Sequence, residues 1–234
     1  MCNLKSNKTL DEYIEYIEAI SKLDNRESLV IFPSHLYLTN TNNRDIVFGS
    51  QDISVSVDKT STGEVLANQI KSTGATYTII GHSERREKFE EDEHLIIKKI
   101  NNALEQSLKV VYCIGETKEE KLRRKTYQVL EKQIAKIFNS LKEEDANNII
   151  IAYEPVWAIG TGTPATEKEI EDITSFIKKI VLDYYDKEIK VLYGGSVNSD
   201  NISLFNKIKS IDGFLVGSAS LNAEDVKKML NKIK

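Results

Sequence analysis

The stretch Ile149-Ile-Ile-Ala-Tyr-Glu-Pro-Val-Trp-Ala-Ile-Gly-Thr-Gly162 decides the architecture. Residues 149–153 form an unbroken apolar run with no polar residue at alternate positions. A strand with one wet face would alternate, so this run predicts a strand covered on both faces, as in a parallel sheet. It stops at a carboxylate, Glu154, followed by Pro155. Two glycines come next, and helical spacing then takes over across residues 167–185. Strand, loop and crossover helix together make the repeating unit of parallel sheets.

Working outward, the same unit recurs. Further β-branched runs fall at residues 1–4, 29–32, 46–49, 76–80, 110–113, 190–193 and 214–216. Helical periodicity marks residues 10–23, 64–72, 94–105, 122–140, 201–208 and 223–233. The link 34–39 holds at most a turn or two of helix. Each interval has room for one crossover. Eight such units without a break in composition predict one domain, residues 1–234. Its fold class is α/β: a (β/α)8 barrel, eight parallel strands surrounded by helices. From pattern alone, a doubly wound open sheet is the alternative. With three prolines and no Gly/Ser-rich linker, a second domain has no obvious place to begin.

Hydrophobic residues make up 40% of the 234 and charged residues 29%, the balance of a folded chain. The 32 basic residues against 36 acidic ones give a net charge of −4, without the clustered basic face that nucleic acid needs. An anionic ligand would have to be held by local donors against a mildly repulsive field. Cys2 and Cys113 supply no disulfide framework and fit a reducing compartment. No apolar targeting region is visible, and the apolar runs are far too short for a bilayer. A cytoplasmic protein without membrane contact is the expectation.

In such barrels the chemistry sits on the loops after the strands. Those places carry Asn3 and Lys5, then His82-Ser-Glu-Arg-Arg86, Glu154, Gly194-Gly-Ser-Val-Asn198 and Gly217-Ser218. A carboxylate at the mouth of an apolar strand, under a loop that closes, loses water and becomes a stronger base. His82 stands between Gly81 and a helix start, where imidazolium is disfavoured, and a neutral ring can donate to a carbonyl oxygen. Taken alone, Glu84, Arg85 and Arg86 read as a solvated charge run. Glycine loops after the sixth, seventh and eighth strands let backbone N–H groups approach an anion, which points to a phosphate site. For Lys5, a Schiff base, a phosphate contact and a plain surface charge all stay open.

The blocks Asn3-Leu-Lys5, Thr62-Gly-Glu64, Ile80-Gly-His-Ser-Glu-Arg-Arg86, Cys113-Ile-Gly-Glu116, Ala152 to Gly162, Tyr193-Gly-Gly-Ser-Val197 and Gly213-Phe-Leu-Val-Gly-Ser-Ala219 resemble, in this order, the triosephosphate isomerase family. The resemblance covers the chain from end to end. It implies a glycolytic and gluconeogenic isomerase, linked to pentose phosphate metabolism, that interconverts dihydroxyacetone phosphate and D-glyceraldehyde 3-phosphate through an enediolate. No cofactor and no metal are expected. Glu154 would be the base and neutral His82 the electrophile. Lys5 would stabilise the anion, Asn3 would donate beside it, and Glu84 would support both. Cys113 would pack by the glutamate. The N–H groups of Gly160, Ser196, Gly217 and Ser218 would hold the phosphate. Pro155, Val156, Trp157, Ala158, Ile159, Gly160, Thr161, Gly162, Thr163, Pro164 and Ala165 would form a lid, latched by Tyr193 near Ala165. Thr62 and Glu64 would lie in a homodimer interface, with Thr62 approaching Asn3 and Lys5 of the other subunit.

Four features depart from the family pattern. Strand one begins almost on Asn3. Lys59-Thr60-Ser61 replaces a Gly-Ala-aromatic segment, which bears on the tightness of the dimer. Pro164, in the second lid hinge, fixes φ and removes a donor. Ser218 stands for a second glycine and keeps its N–H. The competing readings are another sugar-phosphate barrel enzyme with Lys5 as a Schiff base, and a barrel kept for interaction alone. The intact Glu-Pro-Val-Trp block opposes the first, and the intact catalytic positions oppose the second.

Overall fold

A computed structural model describes residues 1–39, 45–158 and 165–233. Its strands are β1 (Cys2–Asn3), β2 (Val30–Phe32), β3 (Val47–Ser50), β4 (Tyr77–Ile80), β5 (Lys109–Ile114), β6 (Ile149–Tyr153), β7 (Lys190–Tyr193) and β8 (Gly213–Phe214). They form one eight-stranded parallel sheet in sequence order. A parallel bridge between Cys2 and Val216 joins its two edges. There the Asn3 N–H donates to the Val216 carbonyl at 2.8 Å, and the Val216 N–H donates to the Met1 carbonyl at 2.8 Å. Sequential order and closure exclude the doubly wound sheet, in which strand order reverses at a switch point.

The unbroken apolar strands now have a geometric cause. Val30, Phe32, Ile79, Val111, Cys113, Ala152, Leu192 and Leu215 fill one buried cluster inside the barrel. The alternate residues, among them Ile31, Ile80, Tyr112, Ile114, Ile151, Tyr153 and Val191, belong to a second cluster under the helices. Successive side chains point to opposite faces, and neither face meets water.

The helices are α1 (Leu10–Ser21), α2 (Ala67–Ser72), α3 (Ser83–Lys88), α4 (Glu93–Glu105), α5 (Lys118–Leu122), α6 (Thr126–Phe138), α7 (Glu167–Tyr185), α8 (Ile202–Phe205) and α9 (Ala223–Leu230). In α7, Ile170, Ile173, Thr174, Ile177, Ile180 and Val181 form the buried stripe that 3.6-residue spacing predicts. Thr166 opens it with a reciprocal cap: its N–H donates to Glu169 Oε2 at 3.0 Å, and its hydroxyl accepts from the Glu169 N–H at 3.3 Å. Some expected bounds change. The helix expected over 122–140 narrows to α6, and α5 ends separately at Leu122, because Arg124 between them takes a left-handed φ of 55°. The helix expected from residue 64 starts at Ala67, since the Val65 carbonyl is engaged by the Ser54 N–H at 2.8 Å. The one expected over 201–208 narrows to α8. Among the described residues, no helix is long and apolar enough to cross a membrane.

Three buried charged side chains, Asp52, Glu91 and Lys99, meet the half-buried Arg85 where β3, α3 and α4 come together. Lys99 Nζ lies 2.6 Å from Asp52 Oδ2 and 2.5 Å from Glu91 Oε1. Arg85 Nε lies 2.8 Å and 2.6 Å from the same two oxygens. Two cations thus compensate two carboxylates. Burial is the largest influence on the Asp52 carboxyl and, with Glu91, pushes it from 3.8 up to about 6 against the pull of Lys99 and Arg85.

Removing one member of this quartet leaves one buried charge uncompensated. Lys99→Met should therefore lower the unfolding free energy by about 3–5 kcal/mol in denaturant titrations. Asp52 also predicts a pH signature. A carboxyl whose pKa is higher in the folded state binds its proton more tightly when folded, so its contribution to stability falls as pH rises through that interval. The stability difference between the wild type and Asp52→Asn should decline between pH 3.8 and about 6, and thermal melts across that range check it.

Candidate active site

Each functional side chain stands just beyond the end of a strand. Asn3 closes β1, and two residues on Lys5 adopts a left-handed φ of 51°. The Asn3 side-chain oxygen accepts from the Lys5 N–H at 3.1 Å, and Lys5 Nζ donates to Glu84 Oε1 at 2.9 Å. A Cβ at Gly217 would stand 3.4 Å from Lys5 Cε. The ammonium therefore sits between the start of α3 and the loop after β8. Burial pushes the Glu84 carboxyl up, but the hydrogen bond and charge of Lys5, with His82 and Lys88, hold it below the usual value.

His82 follows β4 and Gly81 and caps α3. Its Nδ1 accepts from the Glu84 N–H at 3.2 Å. A backbone N–H can only donate, so Nδ1 must offer a lone pair and the ring carries its proton on Nε2. That nitrogen faces Glu154 Oε1 at 3.1 Å. The second Glu154 oxygen accepts from the Ser83 N–H at 3.0 Å.

Glu154 is 3% exposed. Its N–H donates to the Ile114 carbonyl at 2.8 Å, continuing the β5–β6 ladder by one step. Glycines make room for it. A Cβ at Gly115 would collide with the Glu154 carbonyl oxygen, and one at Gly194 would lie 3.0 Å from its Cγ. Cys113 packs beside it, as expected; burial first, then the Glu154 carboxylate, push the thiol well up and keep it protonated.

These groups open onto a cavity of about 210 Å³, lined by Asn3, Lys5, His82, Glu154, Gly194, Gly195, Ser196, Val197, Asn198, Leu215, Gly217, Ser218 and Ala219. The structure thus gathers Asn3, Lys5, His82, Glu154, Ser196, Gly217 and Ser218 into one site, with Glu84 bound to Lys5. Thr62 and Glu64 are exposed and line no part of this cavity. Gly160 lies outside the described residues, as do Ile159, Thr161, Gly162, Thr163 and Pro164. Among the described residues, no group of three or more His, Cys, Asp or Glu side chains is arranged to hold a metal ion.

Both flanks of that segment are anchored. The Ser196 hydroxyl donates to the Ala158 carbonyl at 2.8 Å. Trp157 Nε1 donates to Glu116 Oε1 at 2.8 Å, and the Tyr153 hydroxyl reaches both oxygens of Glu116 at 3.2 Å. Burial is the main influence raising the Glu116 carboxyl. Lys121 lies 3.2 Å over the Trp157 ring and 2.9 Å from Glu169 Oε1, whose other oxygen caps Thr166. On the far flank Ala165 is buried, and burial pushes the Tyr193 phenol up to about 12 against the pull of the Ala165 main chain.

Arg85 and Arg86 are not a solvated run. Arg85 belongs to the charged quartet, while Arg86 Nε donates to the Gly81 carbonyl at 2.9 Å and Arg86 Nη1 pairs with Glu93 at 3.2 Å. The sequence reading also passed over Gln51, whose amide reaches the carbonyls of Lys5 at 2.7 Å and Phe32 at 2.9 Å. A signal existed. Gln51 and Asp52 follow β3 as Glu154 follows β6, and the strand-end rule applied there selects them.

The family model described as triosephosphate isomerase matches residues 1–233. Among curated relatives, the triosephosphate isomerase of Caldanaerobacter subterraneus subsp. tengcongensis is 37% identical across 98% of this chain and 96% of its own length. That of Saccharomyces cerevisiae is 40% identical over 94% and 91%, and that of Aquifex aeolicus 39% identical over 97% and 96%. A closed barrel with these side chains at its mouth, matched from end to end, settles the kinship: the chain belongs to the triosephosphate isomerase family.

Proposed function

We propose that this chain interconverts dihydroxyacetone phosphate and D-glyceraldehyde 3-phosphate, with Glu154 as base and His82 as electrophile. The observation that carries the reading is the 3.1 Å approach of a protonated imidazole nitrogen to a buried carboxylate, at a cavity that Lys5 also enters. Proton abstraction beside a carbonyl needs a placed base and a donor for the oxygen on which charge develops. Glu154 Oε1 takes the proton from one carbon and returns it to the next. His82 Nε2–H gives its proton to the carbonyl oxygen as it gains charge and takes one back from the neighbouring hydroxyl oxygen, and Lys5 offsets the charge of the enediolate. Because the two groups touch, substrate enters between them only when the glutamate swings off the ring. Phosphate then lies against the N–H groups of Ser196, Gly217 and Ser218, joined by Gly160. Residues 155–165 close over it as a lid, keeping water from an intermediate that otherwise eliminates phosphate. We place the reaction in the cytoplasm, in one barrel unit of residues 1–234.

A second copy of the chain completes the proposal. Beside Lys5 a further cleft is lined by Asn3, Ser34, His35, Gln51 and Phe89. The large apolar side chains Leu36 and Phe89 nearby, and Val57 on the Thr62 side, are 77%, 61% and 70% exposed. Such surface favours association. The exposed Thr62–Glu64 loop of the second copy is the occupant that suits this cleft.

Two measurements test these statements. In a coupled assay with glyceraldehyde 3-phosphate, Glu154→Gln should lose roughly 10³-fold or more in turnover; an unchanged rate removes the assignment. Light scattering should give twice the chain mass, and Phe89→Asp should shift it toward the monomer. A fully active monomer at assay concentration would rule the dimer out.

A further inference from the structure

We propose that Gln51 is a positioning residue for Lys5, fixing the main-chain conformation from which the lysine ammonium enters the cavity. This inference rests on the reading above, in which Lys5 holds the anionic ligand. A φ of 51° is disfavoured for lysine, because its Cβ crowds the backbone there. Two hydrogen bonds restrain it. One is the local contact from the Lys5 N–H to Asn3. The other comes from across the barrel mouth, where Gln51 Nε2 reaches the Lys5 carbonyl at 2.7 Å and the Phe32 carbonyl at 2.9 Å.

A primary amide carries two hydrogens, and here each meets one carbonyl. The Phe32 carbonyl also accepts from the Leu4 N–H at 3.0 Å, so Gln51 grips the last shared rung of β1 and β2 and the residue just beyond it. No hydrocarbon side chain can replace that grip. If the Lys5 backbone relaxed to negative φ, its Cα–Cβ bond would swing, and the ammonium would leave Glu84 and Gly217.

Gln51 is itself held. Its neighbour Asp52 is locked by Lys99 and Arg85, and the Asp52 carbonyl meets His35 Nε2 at 2.8 Å. Arg85 follows Glu84 on α3, so the main-chain anchor and the ammonium anchor of Lys5 share one buried foundation.

The test compares wild type, Gln51→Met, Lys5→Ala and the double variant, read by turnover of glyceraldehyde 3-phosphate and by calorimetry of inorganic phosphate binding. Gln51→Met should lower kcat/KM and phosphate affinity on the order of 10- to 100-fold, the scale of a misplaced charged group. In the Lys5→Ala background the same change should cost no more than about 2-fold, because residues acting through one another are not additive. If Gln51→Met does not fold, Gln51→Glu keeps the shape. Its carboxyl donates only when protonated, so its activity relative to wild type should rise toward acid pH. Losses that multiply with Lys5→Ala, an unaltered Gln51→Met enzyme or a wild type that takes up no phosphate would overturn the proposal. A wild type without turnover whose phosphate binding keeps the non-additive pattern removes the isomerase reading and leaves the role of Gln51 standing.

Discussion

Each strand of this barrel is dry on both sides, and that constraint organises the rest of the molecule. Val111 and Cys113 face the interior cluster while Tyr112 and Ile114 face the helices, so no polar side chain has a cheap place along most of the sheet. Apart from the Ser50–Thr78 hydroxyl pair and the lysines that open β5 and β7, polar groups emerge where a strand stops. Asn3, His82 and Glu154 are the first such residues of their strands, and closure of the ring turns three distant sequence positions into neighbours.

The groups that emerge are held by backbone more than by one another. The Glu84 N–H fixes Nδ1 of His82, and the adjacent Ser83 N–H takes one oxygen of Glu154. Main-chain donors cannot titrate or swap rotamers, so the His82 tautomer stays fixed even when the Glu154 side chain moves off the ring. Lys5 alone is long and mobile, and it is also the group with the most external restraint: Asn3, Glu84 and Gln51 all touch it.

Much of this was legible in the sequence, because the deciding signals were local. Unbroken runs such as 149–153 marked the strands, helical spacing across 167–185 marked a crossover helix, and the blocks around His82 and Glu154 carried a family resemblance. What was not legible depends on distance in the chain. Arg85 pairs with Asp52 and Glu91, and nothing in a one-dimensional charge run separates a solvated arginine from a half-buried, paired one. The turn at Arg124 was hidden for another reason. An arginine in left-handed conformation lacks the glycine that usually announces such a break. Gln51 was missed because amides carry no charge to draw the eye, although its place after a strand was in plain view.

Trp157 is the one tryptophan in the chain. Its indole nitrogen is bound to a carboxylate and its ring lies beneath a lysine ammonium, at the edge of the segment proposed to cover the substrate. A single fluorophore gripped by opposite charges is a sensitive optical probe, since shifting either neighbour alters the field across the ring. The protein therefore carries its own label at the edge of the proposed lid, and the light it emits can be followed without attaching a dye.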